Sequence, residues 1–196
     1  MQRPFRLALV AAALLALGAC GSTPPARFYS LEAVPAALAP ASDAGALAVD
    51  VGPVVLSKGL DRAQMVTRLG PNEVALHDYS RWADPLEDNV ARVLAEDLSV
   101  ALGSQRVGLV PGIETREDSW RVTVQVLRFE AGADGRSLLV ARWRLFKPGA
   151  LTPHVTRKSA SSTALPTDDA AGIASALSTD LDALAREIAA ELLAGR

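Results

Sequence analysis

The chain has 196 residues, 49% of them apolar and 21% charged, with a net charge of −2, one cysteine and two histidines. That apolar content excludes wholesale disorder, and a lone cysteine excludes a disulfide scaffold. The slightly acidic balance argues against a nucleic-acid footprint built on phosphate neutralisation, and the length fits one domain with an appendage.

In chain order, Arg3 and Arg6 precede an eleven-residue apolar run from Leu7 to Leu17, followed by Gly18, Ala19 and Cys20. A basic start, a short apolar stretch and small residues at its end have the form of a secretory signal. The stretch falls short of the roughly 20 residues that a helix needs to cross a bilayer, which argues against a permanent span. Leu17-Gly18-Ala19-Cys20 resembles a bacterial lipobox. That resemblance implies cleavage before Cys20 and acyl chains on its sulfur and new amino group; an ordinary secretory signal with an incidental cysteine is the weaker reading. Gly21 and Ser22 follow, with no Asp after the cysteine, which in the lipoprotein pattern points to the outer membrane. Residues 1–19 are thus read as signal peptide and 20–26 as a lipidated tether, with the folded domain over 27–196. At about 3.3–3.6 Å per residue the tether reaches only roughly 20–25 Å, so the body sits close to the membrane. Without Arg3 and Arg6 the chain carries 18 basic and 22 acidic residues, a net charge of −4, and no basic patch remains to argue for headgroup binding by charge alone.

Arg27 to Leu31 form a short aromatic strand signal, and residues 33–45 read as a low-complexity loop. Ala46 to Leu56 alternate as a strand, with Pro53 marking an edge or a bulge. Met65–Arg68 and Glu73–His77 flank the turn cluster Leu69-Gly70-Pro71-Asn72 and predict a hairpin. A helix follows: Asp84 is placed as its cap, Pro85 at the first helical position and Glu87 at capping-box spacing. Leu86, Val90, Val93, Leu94, Leu98 and Leu102 form its apolar stripe, and Gly103 stops it. A strand around Arg106–Val110 leads to the strongest sheet signal. Val122, Val124 and Val126 alternate with polar residues, as do Leu139, Ala141, Trp143 and Leu145 after a Gly-rich turn, so these runs predict a long antiparallel hairpin. A strand over Pro153–Ala160 and an amphipathic helix through Ile173, Leu177, Leu181, Leu184, Ile188 and Leu192 complete the chain. The expected fold is a single α+β domain, a largely antiparallel (mixed) sheet with two main helices packed on one face.

No GxGxxG, Walker A, GxSxG or HExxH spacing occurs, so no catalytic set and no metal site is assigned. His77 and His154 stand apart from other ligand-type residues and read as surface histidines. Glu87, Asp88, Glu96 and Asp97 on the first helix, and Asp180, Asp182, Glu187 and Glu191 on the second, are placed on solvated faces. Arg121, Arg142 and Arg144 fall on the polar face of the long hairpin, as a solvated surface or as a dock for an acidic partner. Trp82, Trp120 and Trp143 read as core or boundary residues, with Trp82 also a contact anchor.

The lipobox at Cys20 is followed by an ordered series of short motifs: Arg27-Phe28-Tyr29-Ser30-Leu31, Val51-Gly52-Pro53-Val54, Leu60-Asp61-Arg62, Gln64-Met65-Val66-Thr67-Arg68 and Trp82-Ala83-Asp84-Pro85-Leu86. With Arg92-Val93-Leu94, Ala141-Arg142-Trp143-Arg144-Leu145 and Leu184-Ala185, this order resembles the PqiC/YmbA family of ABC-type transport auxiliary lipoproteins. The resemblance implies a non-enzymatic outer-membrane lipoprotein on the periplasmic face of a Gram-negative bacterium. Its implied role is to dock a PqiB-type MCE-domain protein that carries lipid between the membranes. It implies no cofactor beyond the covalent lipid on Cys20 and no nucleic-acid partner, and it leaves a homo-oligomer open. Leu60, Asp61, Arg62, Gln64 and Trp82 are the contact candidates on this reading, with a structural role for the same turn standing beside it. The alternative function is a lipid-binding module that shelters an acyl chain between helices and sheet.

Overall fold

The structure, a computed structural model, describes residues 24–34, 47–110 and 118–195. Residues 1–19, read above as a signal peptide, Cys20 and most of the 33–45 segment read as a loop lie outside the described residues. In chain order the elements are β1 (Arg27–Tyr29), β2 (Val49–Leu56), β3 (Gln64–Gly70), β4 (Glu73–Trp82), α1 (Leu86–Leu102), β5 (Val107–Leu109), β6 (Trp120–Gly132), β7 (Ser137–Phe146), β8 (Val155–Ser161) and α2 (Ala170–Ala194).

The strand β6 organises the sheet. Its residues Trp120, Val122, Val124 and Val126 are buried while Arg121, Thr123 and Gln125 face the other way, the period-2 pattern of a strand covered on one side. One edge of β6 pairs antiparallel with β7, Val122 opposite Leu145 and Val124 opposite Trp143, and β7 pairs antiparallel with β8. Its other edge is divided. Parallel β2 occupies Trp120 to Val126 and carries β5 beyond it. Near the far end, β3 takes Ala131 and Gly132 in parallel and carries antiparallel β4, which in turn carries parallel β1. The sheet is therefore mixed and forked: a trunk of β8-β7-β6 with one branch of β2-β5 and another of β3-β4-β1. The antiparallel ladders expected from the two hairpins are the long ones, and the parallel pairings join them.

Both helices lie on the face that carries the buried valines. α1 packs over β2 and β5, α2 over β7 and β8, and the helices pack on each other. Trp143, Leu94, Leu98, Leu181 and Ile188 are fully buried between the layers. A buried aliphatic side chain contributes about 1.5–3 kcal/mol, so this layer contact is the main stabilising element.

Pro53 lies in an interior strand, where its missing N–H would leave a gap in the ladder. The pairing of β2 with β6 shifts register between Val51 and Val54, so Pro53 stands in a bulge. Gly52 beside it has φ of 136°, and a Cβ there would lie 2.5 Å from the Val110 carbonyl oxygen, so only glycine fits.

Two expectations are corrected here. Asp84 does not cap α1: Pro85 is the N-cap, no side chain bonds the first amides, and Asp84 is exposed one residue outside. Glu87 consequently falls at the second helical position, out of capping-box register. Gly103 does end the helix, with φ of 59°. The second correction concerns two acids placed on solvated faces. Asp97 and Asp180 are buried, at 1% and 0% exposure. Asp180 accepts hydrogen bonds from Ser137 Oγ (2.6 Å), Ser161 Oγ (2.9 Å) and Thr163 Oγ1 (2.8 Å), fastening α2 to the trunk.

Candidate functional site

Residues 57–63 connect β2 to β3 where the two branches of the sheet diverge. The connection is held by its own backbone. Leu60 N–H donates to Ser57 O at 2.7 Å, Arg62 N–H to Leu60 O at 2.8 Å, and Trp82 N–H to Ala63 O at 2.7 Å. Leu60 and Trp82 are 7% and 5% exposed, and both belong to the core with Met65 and Phe129. The Trp82 and Phe129 ring centroids lie 6.2 Å apart. Burial closes Leu60 and Trp82 to a partner; they brace the corner from inside. Asp61 is exposed, while Arg62 and Gln64 are half-buried, and Arg62 Nε donates to Gly59 O at 2.8 Å. The five candidates thus sort into two packing residues and a surface trio, Asp61 and Arg62 on the turn and Gln64 at the first position of β3.

Beside the fork, Glu130 is 3% exposed and receives two guanidiniums. Arg68 Nε and Arg128 Nη2 each lie 2.6 Å from its Oε1. Burial pushes the Glu130 carboxyl up, but the bonds from Arg68 and Arg128 outweigh it and hold its pKa below the usual glutamate value. Asp97 is the opposite case. Its Oδ1 accepts from Val34 N–H at 3.2 Å, and its Oδ2 has no partner among the described residues. Burial, reinforced by the charge of Asp182 on α2, raises its pKa from 3.8 to about 7. Neither residue was singled out for such a role from the sequence. For Asp97 and Asp180 the signal was the spacing: each stands four residues from a core position, Val93 or Ala176, within an apolar stripe.

A cleft of about 740 Å³ opens between the β3–β4 hairpin, the β6–β7 turn and the start of α2, lined by Met65, Thr67, Arg68, His77, Asp169 and Ile173 among others. His77, read as a surface histidine, is half-buried on this cleft with Nε2 2.9 Å from Thr67 Oγ1. Asp169 is engaged as the cap of α2, accepting from Gly172 N–H at 2.9 Å. That bond, with one from Thr167, lowers its pKa. A second, mostly apolar groove of about 480 Å³ runs between residues 29–34 and α2, lined by Tyr29, Ala33, Val34, Ala171 and Ala174 with several hydroxyls. Between α2 and β7–β8, at Leu139 and Leu184, the space is about 100 Å³. That is below the roughly 300–1,000 Å³ of ordinary ligand sites. Among the described residues no three His, Cys, Asp or Glu side chains are placed to hold a metal ion, and no helix is long and apolar enough to cross a membrane.

A helix-backed, forked mixed sheet with a buttressed surface turn and open clefts defines a single α+β domain. The chain belongs to the family of ABC-type transport auxiliary lipoprotein components, whose family model matches residues 29–189. Two solved structures share the fold. One, an uncharacterized protein, is 19% identical with a TM-score of 0.70 and is matched over 86% of this chain and 99% of its own. The other, protein XCC0632 from Xanthomonas campestris, is 17% identical with a TM-score of 0.68, over 86% of this chain and 95% of its own. Among curated proteins, none matches the chain.

Proposed function

We propose that the protein is an outer-membrane lipoprotein, anchored through Cys20 on the periplasmic face, that acts without catalysis as a docking component for an MCE-type, PqiB-like lipid transport system. The observation that carries this reading is the family match, which begins at residue 29, nine residues after the lipobox cysteine. A tether of that length keeps the domain at the membrane, where a conduit spanning the periplasm must be received. Asp61, Arg62 and Gln64 are the proposed contacts, because the packed corner beneath them holds their turn in one conformation. Crosslinking followed by affinity purification from detergent-solubilised envelopes is expected to recover an MCE-domain protein, and alanine at the three positions to reduce the yield. Repeated recovery of none would overturn the reading. Cys20→Ser is expected to move the protein from the membrane pellet to the soluble fraction; persistence in the pellet would refute the anchor.

The apolar groove beside α2 supports a second reading, in which the domain itself holds an acyl chain at its edge. Native mass spectrometry of the purified protein would then show a non-covalent lipid adduct in addition to the mass of the lipidated chain.

A further inference from the structure

The net charge of −4 conceals a separation of charge across the sheet. The face without helices presents Arg142 opposite Lys158, with Gln125 and Val55 in the same row, and Arg144 two residues along. These three cations are exposed and make no ion pair or hydrogen bond among the described residues. Neighbouring strands lie about 4.8 Å apart and alternate residues about 7 Å apart, so three positive charges share a small patch. Like charges placed directly opposite one another on a sheet are destabilising, so stability does not account for this arrangement. The helix layer has the other sign: Glu87, Asp88, Glu96, Asp182, Glu187 and Glu191 outnumber Arg92, Arg186 and the β8 residue Arg157, which are themselves paired with Glu96, Asp182 and Glu191.

The same helix-free face carries exposed apolar side chains between Arg68 and Arg81 on the β3-β4-β1 branch. Tyr29 and Trp82 pair on the core side, so Phe28 and Arg81 point outward, and Phe28 is 64% exposed. Met65 is buried opposite His77, so the alternating pair Val66–Leu76 and the next pair Arg68–Val74 also face outward; Leu76 and Val74 are 44% and 46% exposed. The tether enters at β1, directly beside Phe28. Its reach of roughly 25 Å is less than the diameter of the 170-residue body over 27–196, roughly 40 Å, so the body stays within less than its own diameter of the surface that holds it.

We propose that the helix-free face of the sheet lies against an anionic phospholipid surface, with Phe28, Leu76 and Val74 at the acyl boundary beside the anchor and Arg142, Arg144 and Lys158 on headgroup phosphates. The proposal rests on the lipid-anchor reading and adds an orientation to it: the acidic helices face away from the membrane. Each cation beside an anionic surface contributes roughly a fivefold change in association.

The test uses the full lipidated protein in vesicles. Acylation of Cys20 leaves no free thiol, so Leu76→Cys or Glu87→Cys takes a single environment-sensitive fluorophore. In vesicles of phosphatidylethanolamine and phosphatidylglycerol, the Leu76 label is expected to be shielded from aqueous iodide and quenched by spin-labelled lipid, and the Glu87 label the reverse. Pure phosphatidylcholine vesicles, or reversal of Arg142, Arg144 and Lys158 to Glu, should return the Leu76 label to iodide; circular dichroism melts verify that the reversed protein folds. Equal iodide access at both positions while the protein still pellets with the vesicles would overturn the orientation and leave the anchor standing. Failure to pellet would instead refute the anchor. Shielding of Leu76 that depends on protein density in the vesicle, or that arises only when a partner protein is added, would assign the face to protein contact and overturn the proposal.

Discussion

Replacing Asp97 by Asn gives a quantitative test of the helix–helix interface. The side chain is 1% exposed, its Oδ2 is unbonded among the described residues, and Asp182 faces it from α2. One pKa unit corresponds to about 1.36 kcal/mol, so a rise from 3.8 to about 7 sets an upper figure of about 4 kcal/mol. The direction follows from proton counting. Between about pH 4 and pH 7 the folded chain holds a proton that the unfolded chain has released, so this contribution is complete below pH 4 and is lost as pH rises through 7. Asn imitates the protonated acid and keeps an acceptor for Val34 N–H, but its amide places donors where Oδ2 lacks a partner, costing about 1–3 kcal/mol. The net expectation for Asp97→Asn is a gain of about 1–3 kcal/mol at pH 8, with the pH-dependent loss between 4 and 8 much reduced. Urea unfolding followed by circular dichroism at several pH values measures both. Parallel stability–pH curves for the two proteins would refute the assignment of a buried, proton-binding Asp97.

Three further outcomes are expected from stability measurements. Gly172→Ala should destabilise by about 1–3 kcal/mol although alanine favours helix, because a Cβ would fall 1.9 Å from Thr167 O; an unchanged denaturation midpoint would show that the start of α2 can relax. Glu130→Gln should cost about 1.5–3 kcal/mol at pH 7 by removing the charge that Arg68 and Arg128 share. Since the folded Glu130 pKa is lowered, the wild-type advantage is present above the ordinary glutamate value and should fade as pH falls below it, which acid titration of both proteins reads directly. Trp82→Ala should cost about 3–5 kcal/mol in thermal or chemical unfolding, as a core truncation does, while Arg62→Ala on the exposed side of the same corner should change stability by no more than about 0.5 kcal/mol.

The elements were legible where periodicity was strong. Alternation in Val122–Val126 and Leu139–Leu145, and the stripes of both helices, specify the long hairpin, the two helices and the buried face. Periodicity reports which way a residue faces, not which strand lies beside it. The parallel joining of β2 and β3 to one edge of β6 was therefore not readable, nor was the fork. A carboxylate one position from a leucine reads as solvated by chemistry, yet helical geometry turned Asp97 and Asp180 inward, where hydroxyls or an amide meet them. Of the contact candidates, residue type alone could not separate Trp82 and Leu60, which pack under the turn, from Asp61, which lies on it. Net charge was the least informative quantity, because it averages an acidic helix layer with a basic sheet face.

The divided edge of β6 also bears on how the chain assembles. β2 and β3 both pair with residues of their common partner more than fifty positions later, and α1 covers β2 in the same branch. Until β6 arrives, the emerging first half holds a β3–β4 hairpin paired only with β1, its β3 edge open, and a β2 paired only with the three-residue β5. Contacts so distant in sequence carry a large loop-closure entropy and form slowly. A truncated or stalled chain ending before Trp120 would therefore expose two unpaired strand edges at once, which makes β6 the segment on which escape from aggregation during folding depends.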